Sequence, residues 1–145
     1  MGCCYTRIQI QTGRGLSIHD ITPQVRACVQ RAGIGEGFVV VSSRHTTLAL
    51  TVNENEHRLL LDIRDFFLRL VPPRARYLHN DIHLRDCPPD EPENAHAHLI
   101  AMMLGNSEAL PVHEGHLDLG RWQSVLLVEL DGPRDRSVAV QVCGD

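Results

Sequence analysis

Nine histidines in 145 residues are the first feature with chemical content. Imidazole titrates near neutral pH and is a common ligand for transition metals, so such a surplus points to metal binding or proton transfer. The spacing forms no local chelate: neither His-Glu-x-x-His nor a pair of histidines four apart on a helical stretch occurs. Any centre must therefore draw on separate segments. His45 lies in Arg44-His45-Thr46-Thr47, just past a β-branched run. His79, Asp81 and His83 alternate in sequence, and an extended backbone would set them on one face. His96 and His98 are two residues apart on a short helical segment, about 200° around its axis, so one ion cannot take both.

Other residue groups carry two readings each. Asn53-Glu54-Asn55-Glu56 closes a strand and opens a helix. Capping and favourable charge at the helix amino end account for it. Alternatively, Asn53 and Glu54 face a pocket as an orienting amide and a general acid/base. Gly120-Arg121-Trp122-Gln123 holds the single tryptophan, a core anchor at a strand start or a surface for a flat ring. Arg44, Arg134 and Arg136 are solvated surface, or they form an anion site if they converge with the amino end of the helix opened by Asn94. Gly-x-Ser-x-Gly is absent. All 14 basic residues are arginine, which excludes a lysine Schiff base and a Walker-type phosphate loop. Five cysteines without a Cys-x-x-Cys pair exclude a zinc ribbon and a thioredoxin-type motif, and are expected as free thiols.

These residues need elements to position them. Tyr5 to Thr12 alternates polar and apolar as a half-buried strand does, and Gly13 and Gly15 break it. Thr22-Pro23 opens a helix with a capping hydroxyl, its stripe runs from Val25 to Ala32, and Gly33 closes it. Phe38–Val41 and Leu48–Val52 read as strands. Leu59, Leu60, Ile63, Phe66, Phe67 and Leu70 recur at helical spacing, predicting a helix from near Asn55 that stops before Pro72-Pro73. Arg74 to Glu93 reads as a long loop. Asn94 caps a helix through Leu104, ended by Gly105. Ala109–His113, Trp122–Leu130 and Ser137–Val142 read as strands, with Asp131 to Arg134 as the turn between the last two. This order is not a βαβ alternation. It predicts one α+β domain over residues 1–145, a mostly antiparallel β-sheet sandwich with about three helices.

Composition narrows the function classes. A net charge of −4 argues against broad binding to duplex nucleic acid, and six aromatic residues are too few for a base-stacking platform. No apolar run approaches a membrane span. No cationic segment followed by an apolar core is visible near Met1, so a cytoplasmic location is expected.

Taken together, His45-Thr46-Thr47, Asn53-Glu54-Asn55, Phe66 to Pro72, Tyr77-x-His79-x-Asp81, Asn94 to His98, Met103 to Ser107, Leu110-Pro111-Val112, Gly120-x-Trp122-Gln123 and Asp131 to Arg136 resemble the YjbQ family, in order and over nearly the whole chain. The resemblance implies an α+β fold, a homotrimer and the activity of a secondary thiamine-phosphate synthase. That reaction joins a phosphorylated thiazole to a pyrimidine pyrophosphate. It also implies His45, His79 and His98 as ligands of a divalent metal. Zinc suits three imidazoles with an open fourth position, and Mg²⁺ would accompany a pyrophosphate substrate. Glu54, Asn53 and Arg136 are implied as catalytic residues, and Trp122, Gln123 and Arg134 as substrate-binding residues. Glu54 and Asp81 are candidates to orient a ligating histidine. The competing classes are a metal-dependent hydrolase of another small ester or phosphate and a non-catalytic metal- or anion-binding module. The expected partner is a small phosphorylated substrate, with neither nucleic acid nor membrane.

Overall fold

A strand that alternates can bury only one face, and a strand that is apolar throughout must be covered on both. The computed structural model, which describes residues 1–145, obeys this along its length. Its elements are β1 (Gly2–Gln11), β2 (Gly15–Asp20), α1 (Thr22–Ala32), β3 (Gly37–Ser43), β4 (Leu48–Asn53), α2 (His57–Leu70), α3 (Ala95–Leu104), β5 (Ser107–His113), β6 (His116–Leu117), β7 (Ser124–Gly132) and β8 (Asp135–Gly144). Two antiparallel sheets form, one in the order β1-β8-β3-β5-β6 and one in the order β2-β7-β4.

The main core fills the space between the sheets. Val39 and Val41 of β3 and Val138, Val140 and Val142 of β8 meet Leu48 and Leu50 of β4 and Val125 and Leu127 of β7, with Val25, Cys28 and Val29 of α1 closing the edge. The alternate residues of β4 and β7, Ala49, Val128 and Leu130, form a second cluster with Ala97 and Ile100 of α3, and Val71 at the end of α2 joins it. The central strand β7 is thus buried on both faces, which is why it reads as a near-continuous apolar run.

The outer face of the five-stranded sheet has no helix over it. Register places Tyr5, Gln141, Val40 and Ala109 side by side across four strands, and Cys3, Cys143, Phe38 and Pro111 in another such row. No helix of the chain is long and apolar enough to cross a membrane.

Several sequence expectations need correcting. Thr22 does not cap α1: its hydroxyl accepts from the Val125 N–H at 2.8 Å, tying the helix to β7. Asn94 does not cap α3 either. Its amide donates to Asp131 at 2.8 Å, and Asn80 accepts from the Ala95 N–H at 3.1 Å instead. Residues 74–93 are not loop throughout, because Leu78–Asn80 and Ile82–Leu84 form two 3-10 turns. That compact winding replaces the extended stretch that would have aligned His79, Asp81 and His83. The strand expected from Trp122 starts at Ser124. β2 and β6 carry little sequence signal: β2 starts on Gly15 itself, and β6 has only two residues. Cys3 and Cys143 form a disulfide, leaving Cys4, Cys28 and Cys87 free.

Candidate active-site cleft

The turn between β3 and β4 presents Arg44, His45 and Thr46 at one end of the sandwich. Ser43 shapes this turn: its Oγ accepts from the His45 N–H at 3.2 Å and donates to the His45 carbonyl at 3.1 Å. The backbone N–H of Ser137 donates to His45 Nε2 at 3.0 Å. A backbone amide can only donate, so Nε2 is unprotonated and a neutral His45 carries its proton on Nδ1. Burial, reinforced by the Arg136 guanidinium, holds the imidazole pKa below its usual value.

His98, on α3, lines the same cleft as His45 and Thr46. Burial, with neighbouring His79 adding to it, pushes its pKa down as well. His79 rides on the first 3-10 turn, with its ring centroid 4.8 Å from that of His98 and the rings edge to face. Arg85 fastens this turn by donating to the His79 carbonyl at 2.9 Å.

The fit of these histidines to a metal is partial. Two imidazoles bound to one zinc at about 2.0–2.1 Å place their ring centroids roughly 5 Å apart, and His79 and His98 have that separation. His45 does not complete the set, since its Nε2 lone pair is taken by Ser137. No group of three His, Cys, Asp or Glu side chains is placed to hold an ion. Asp81 is committed to Arg76 through two hydrogen bonds, so it orients no histidine.

The arginines divide by partner. Arg136 is 4% exposed and lies between the sheets, where Nε and Nη2 each donate to fully buried Glu129 at 2.6 Å. Nη2 also donates to Thr47 Oγ1 at 2.9 Å. Burial opposes ionisation of Glu129, but Arg136, Thr12 and the Asp131 N–H outweigh it and hold the carboxyl below its usual range. The phosphate-gripping role expected of Arg136 therefore conflicts with its bonding: it positions Thr47 and the β3–β4 turn. Arg134 is paired with Asp131 at 2.8 Å. Arg44, exposed, has no carboxylate partner and donates to Ser137 Oγ at 3.4 Å.

Asn53, Glu54, Trp122 and Gln123 are not in this cleft. Asn53 pairs with Ser124 at the far end of β4 and β7, while Leu48 pairs with Glu129 beside the cleft. Six residues of strand separate Thr47 from Asn53, about 20 Å. Trp122 is no core anchor: it is 63% exposed, with the Arg121 guanidinium 4.8 Å from its ring centroid. Gln123 accepts from the Gly120 N–H at 2.8 Å and stabilises that turn. The sequence patterns assign no site role to Asn80 or to the end of α3, where Ala101, Met102, Gly105 and Asn106 extend the cleft. His96, which one ion cannot share with His98, has a buried, unpaired Nδ1 and a pKa lowered by burial.

The fold and cleft define a two-sheet α+β domain with a histidine- and arginine-lined site at one rim. The chain belongs to the family described as UPF0047 protein YjbQ-like, which matches residues 6–145. A UPF0047 protein of Methanothermobacter thermautotrophicus is 43% identical over 97% of this chain and 92% of its own length. The UPF0047 protein YugU of Bacillus subtilis is 32% identical over 94% and 97%. A solved structure of a protein of unknown function from Sulfolobus solfataricus P2 superposes with a TM-score of 0.89 at 36% identity, covering 99% of both chains. A hypothetical protein from Aeropyrum pernix gives 0.88 at 38%, covering 97% of this chain and 98% of its own.

Proposed function

We propose that the cleft binds a phosphorylated small molecule and catalyses transfer of the kind expected of a secondary thiamine-phosphate synthase. The observation supporting this best is the convergence of His45 and His98, both with lowered pKa, on walls that also carry Arg44 and Arg134. Guanidinium stays charged at any working pH and grips phosphate with parallel hydrogen bonds. Arg44 has no competing carboxylate, and His45 contributes an Nδ1–H donor. In the reaction the thiazole nitrogen forms a bond to the pyrimidine methylene carbon while the carbon–oxygen bond to pyrophosphate breaks. The attacking nitrogen carries no proton, so no general base is required. The demand is for charge stabilisation on the departing group, which is what this cleft offers. A divalent ion would supply further charge neutralisation: Zn²⁺ would be held by His79 and His98, whereas Mg²⁺, which takes oxygen ligands, would come with the pyrophosphate. Glu54 and Trp122, at the opposite end of the sandwich, could join the cleft only from another chain.

The test is direct. Full-length protein with both precursors and either metal is expected to form thiamine phosphate and release pyrophosphate, and His98→Ala is expected to lower the rate roughly 100-fold or more. No product from the wild type overturns the transferase reading. Turnover of simple phosphoesters instead would make the protein a hydrolase, and tight metal without turnover a binding module.

The homotrimer belongs to the same proposal. The uncovered face of the five-stranded sheet supplies a surface for it, with Tyr5 and Phe38 52% and 43% exposed. Light scattering is expected to give three times the 16.2 kDa chain mass, and a single chain mass at micromolar concentration overturns it.

A further inference from the structure

The cleft has two compartments of different character that share one set of side chains. One, of about 440 Å³, is polar: Arg44, Thr47 and Arg134 lie among its walls together with the carboxylates Glu91 and Asp131, the latter paired with Arg134. The other, of about 470 Å³, runs beside α3 and is walled by Leu48, Ala101, Met102 and Gly105. His45, Thr46 and His98 line both.

The apolar compartment has features of a ring-binding site. An apolar cavity of about 150 Å³ is enough to hold benzene, so there is room for a ring. Ala101 keeps the helix wall low. Gly105 has a φ of +99°, a conformation that disfavours any side chain, and the space its Cβ would enter is empty. Its carbonyl accepts from the Leu50 N–H at 3.2 Å, which pins this open corner to β4. Met102 lines the compartment while 80% exposed. A flexible thioether so placed can fold down over an aromatic face.

We propose that the cleft is a two-compartment site for a small molecule with a phosphate-type anion on one side of its reacting bond and a flat, largely apolar ring on the other. Arg44, the cleft arginine without a carboxylate partner, takes the anion, Ala101, Met102 and Gly105 read the ring, and the reacting bond lies at the shared His45–His98 junction. This rests on the reading of the polar compartment as an anion site, and deepens it by assigning specificity to the end of α3.

Titration calorimetry of the full-length protein with methyl phosphate and benzyl phosphate tests it. Both are expected to bind, with benzyl phosphate tighter by about 10- to 100-fold, the factor that burial of one phenyl-sized group gives. Met102→Glu, a change at an exposed position, is expected to cut that ratio to within about threefold by setting a charge against the ring. Ala101→Phe, which fills the compartment, is expected to do the same, and Arg44→Ala to weaken both phosphates alike. Equal affinities in the wild type overturn the proposal, as does a ratio untouched by both α3 variants. Failure of either phosphate to bind at millimolar concentration overturns the anion reading itself, and this inference with it.

Discussion

Arg136→Ala is expected to destabilise the whole domain by about 3–5 kcal/mol, the cost of leaving one member of a buried ion pair without its partner. Glu129 has no exposed surface, and after the substitution it keeps only Thr12 and the Asp131 N–H as donors. In a domain of this length each kcal/mol moves the melting temperature by about 2–4 °C, so a fall of roughly 6–20 °C is expected by circular dichroism. The pH dependence gives a sharper signature. In the wild type the Glu129 pKa is depressed, so its contribution is present above the ordinary carboxylate value of 4.5 and is lost as pH falls through the lower folded value. Without Arg136, burial governs and raises the folded pKa, so the penalty is full at high pH and relieved as protonation proceeds. The stability gap between variant and wild type should therefore narrow from pH 7 towards pH 5. Replacing both residues by leucine should recover much of the loss, because no buried charge remains. An Arg136→Ala protein that melts like the wild type would overturn this role and return the guanidinium to the list of substrate ligands.

The elements read best from sequence are those whose local signals agree with their packing. Pro23 and Gly33 bracket α1, and the apolar spacing from Leu59 to Leu70 outlines α2 to within two residues. Elements whose reasons are non-local were missed. β2 exists because β7 offers it a partner edge, and its own glycine-flanked sequence carries little strand signal. Asn80 caps α3 from fourteen residues before the Asn94 that sequence reasoning chose, and only the fold brings that amide to the helix. The candidate site divides in the same way. His45 and His98 could be named from motif order, but their shared cleft depends on α3 packing across β4 and β7. Glu54 and Trp122 belong to the same set of motifs, yet strand length puts them about 20 Å from Thr47. Arg136 looked like a free cation because its partner, Glu129, sits inside a run of apolar residues on another strand.

Three thiols, not five, are expected to titrate when the chain is unfolded under non-reducing conditions. Nothing local predicts the missing pair, since Cys3 and Cys143 are 140 residues apart and become neighbours only through the β1–β8 register, with Cα atoms 4.3 Å apart. The other cysteines do not compete for this pairing. Cys4, next to Cys3 on β1, faces the opposite side of the sheet; Cys28 lies in the inter-sheet core, where burial pushes its thiol pKa up and keeps it protonated; and Cys87 lies beyond the second 3-10 turn, its Sγ 3.9 Å from the Ile82 carbonyl. A bridge closing a loop of that length removes much of the unfolded chain's freedom, and its loss typically costs about 2–5 kcal/mol. Cys3→Ser should therefore melt well below the wild type without reductant. The two should converge once reductant is present, because exposed Cys3 leaves the bond open to attack from solvent. Serine keeps the size and polarity of an exposed strand residue, so a deficit that persists in reductant would point to a packing effect instead. Five titrating thiols, or a wild-type melt indifferent to reductant, would show that strand pairing alone holds β1 to β8.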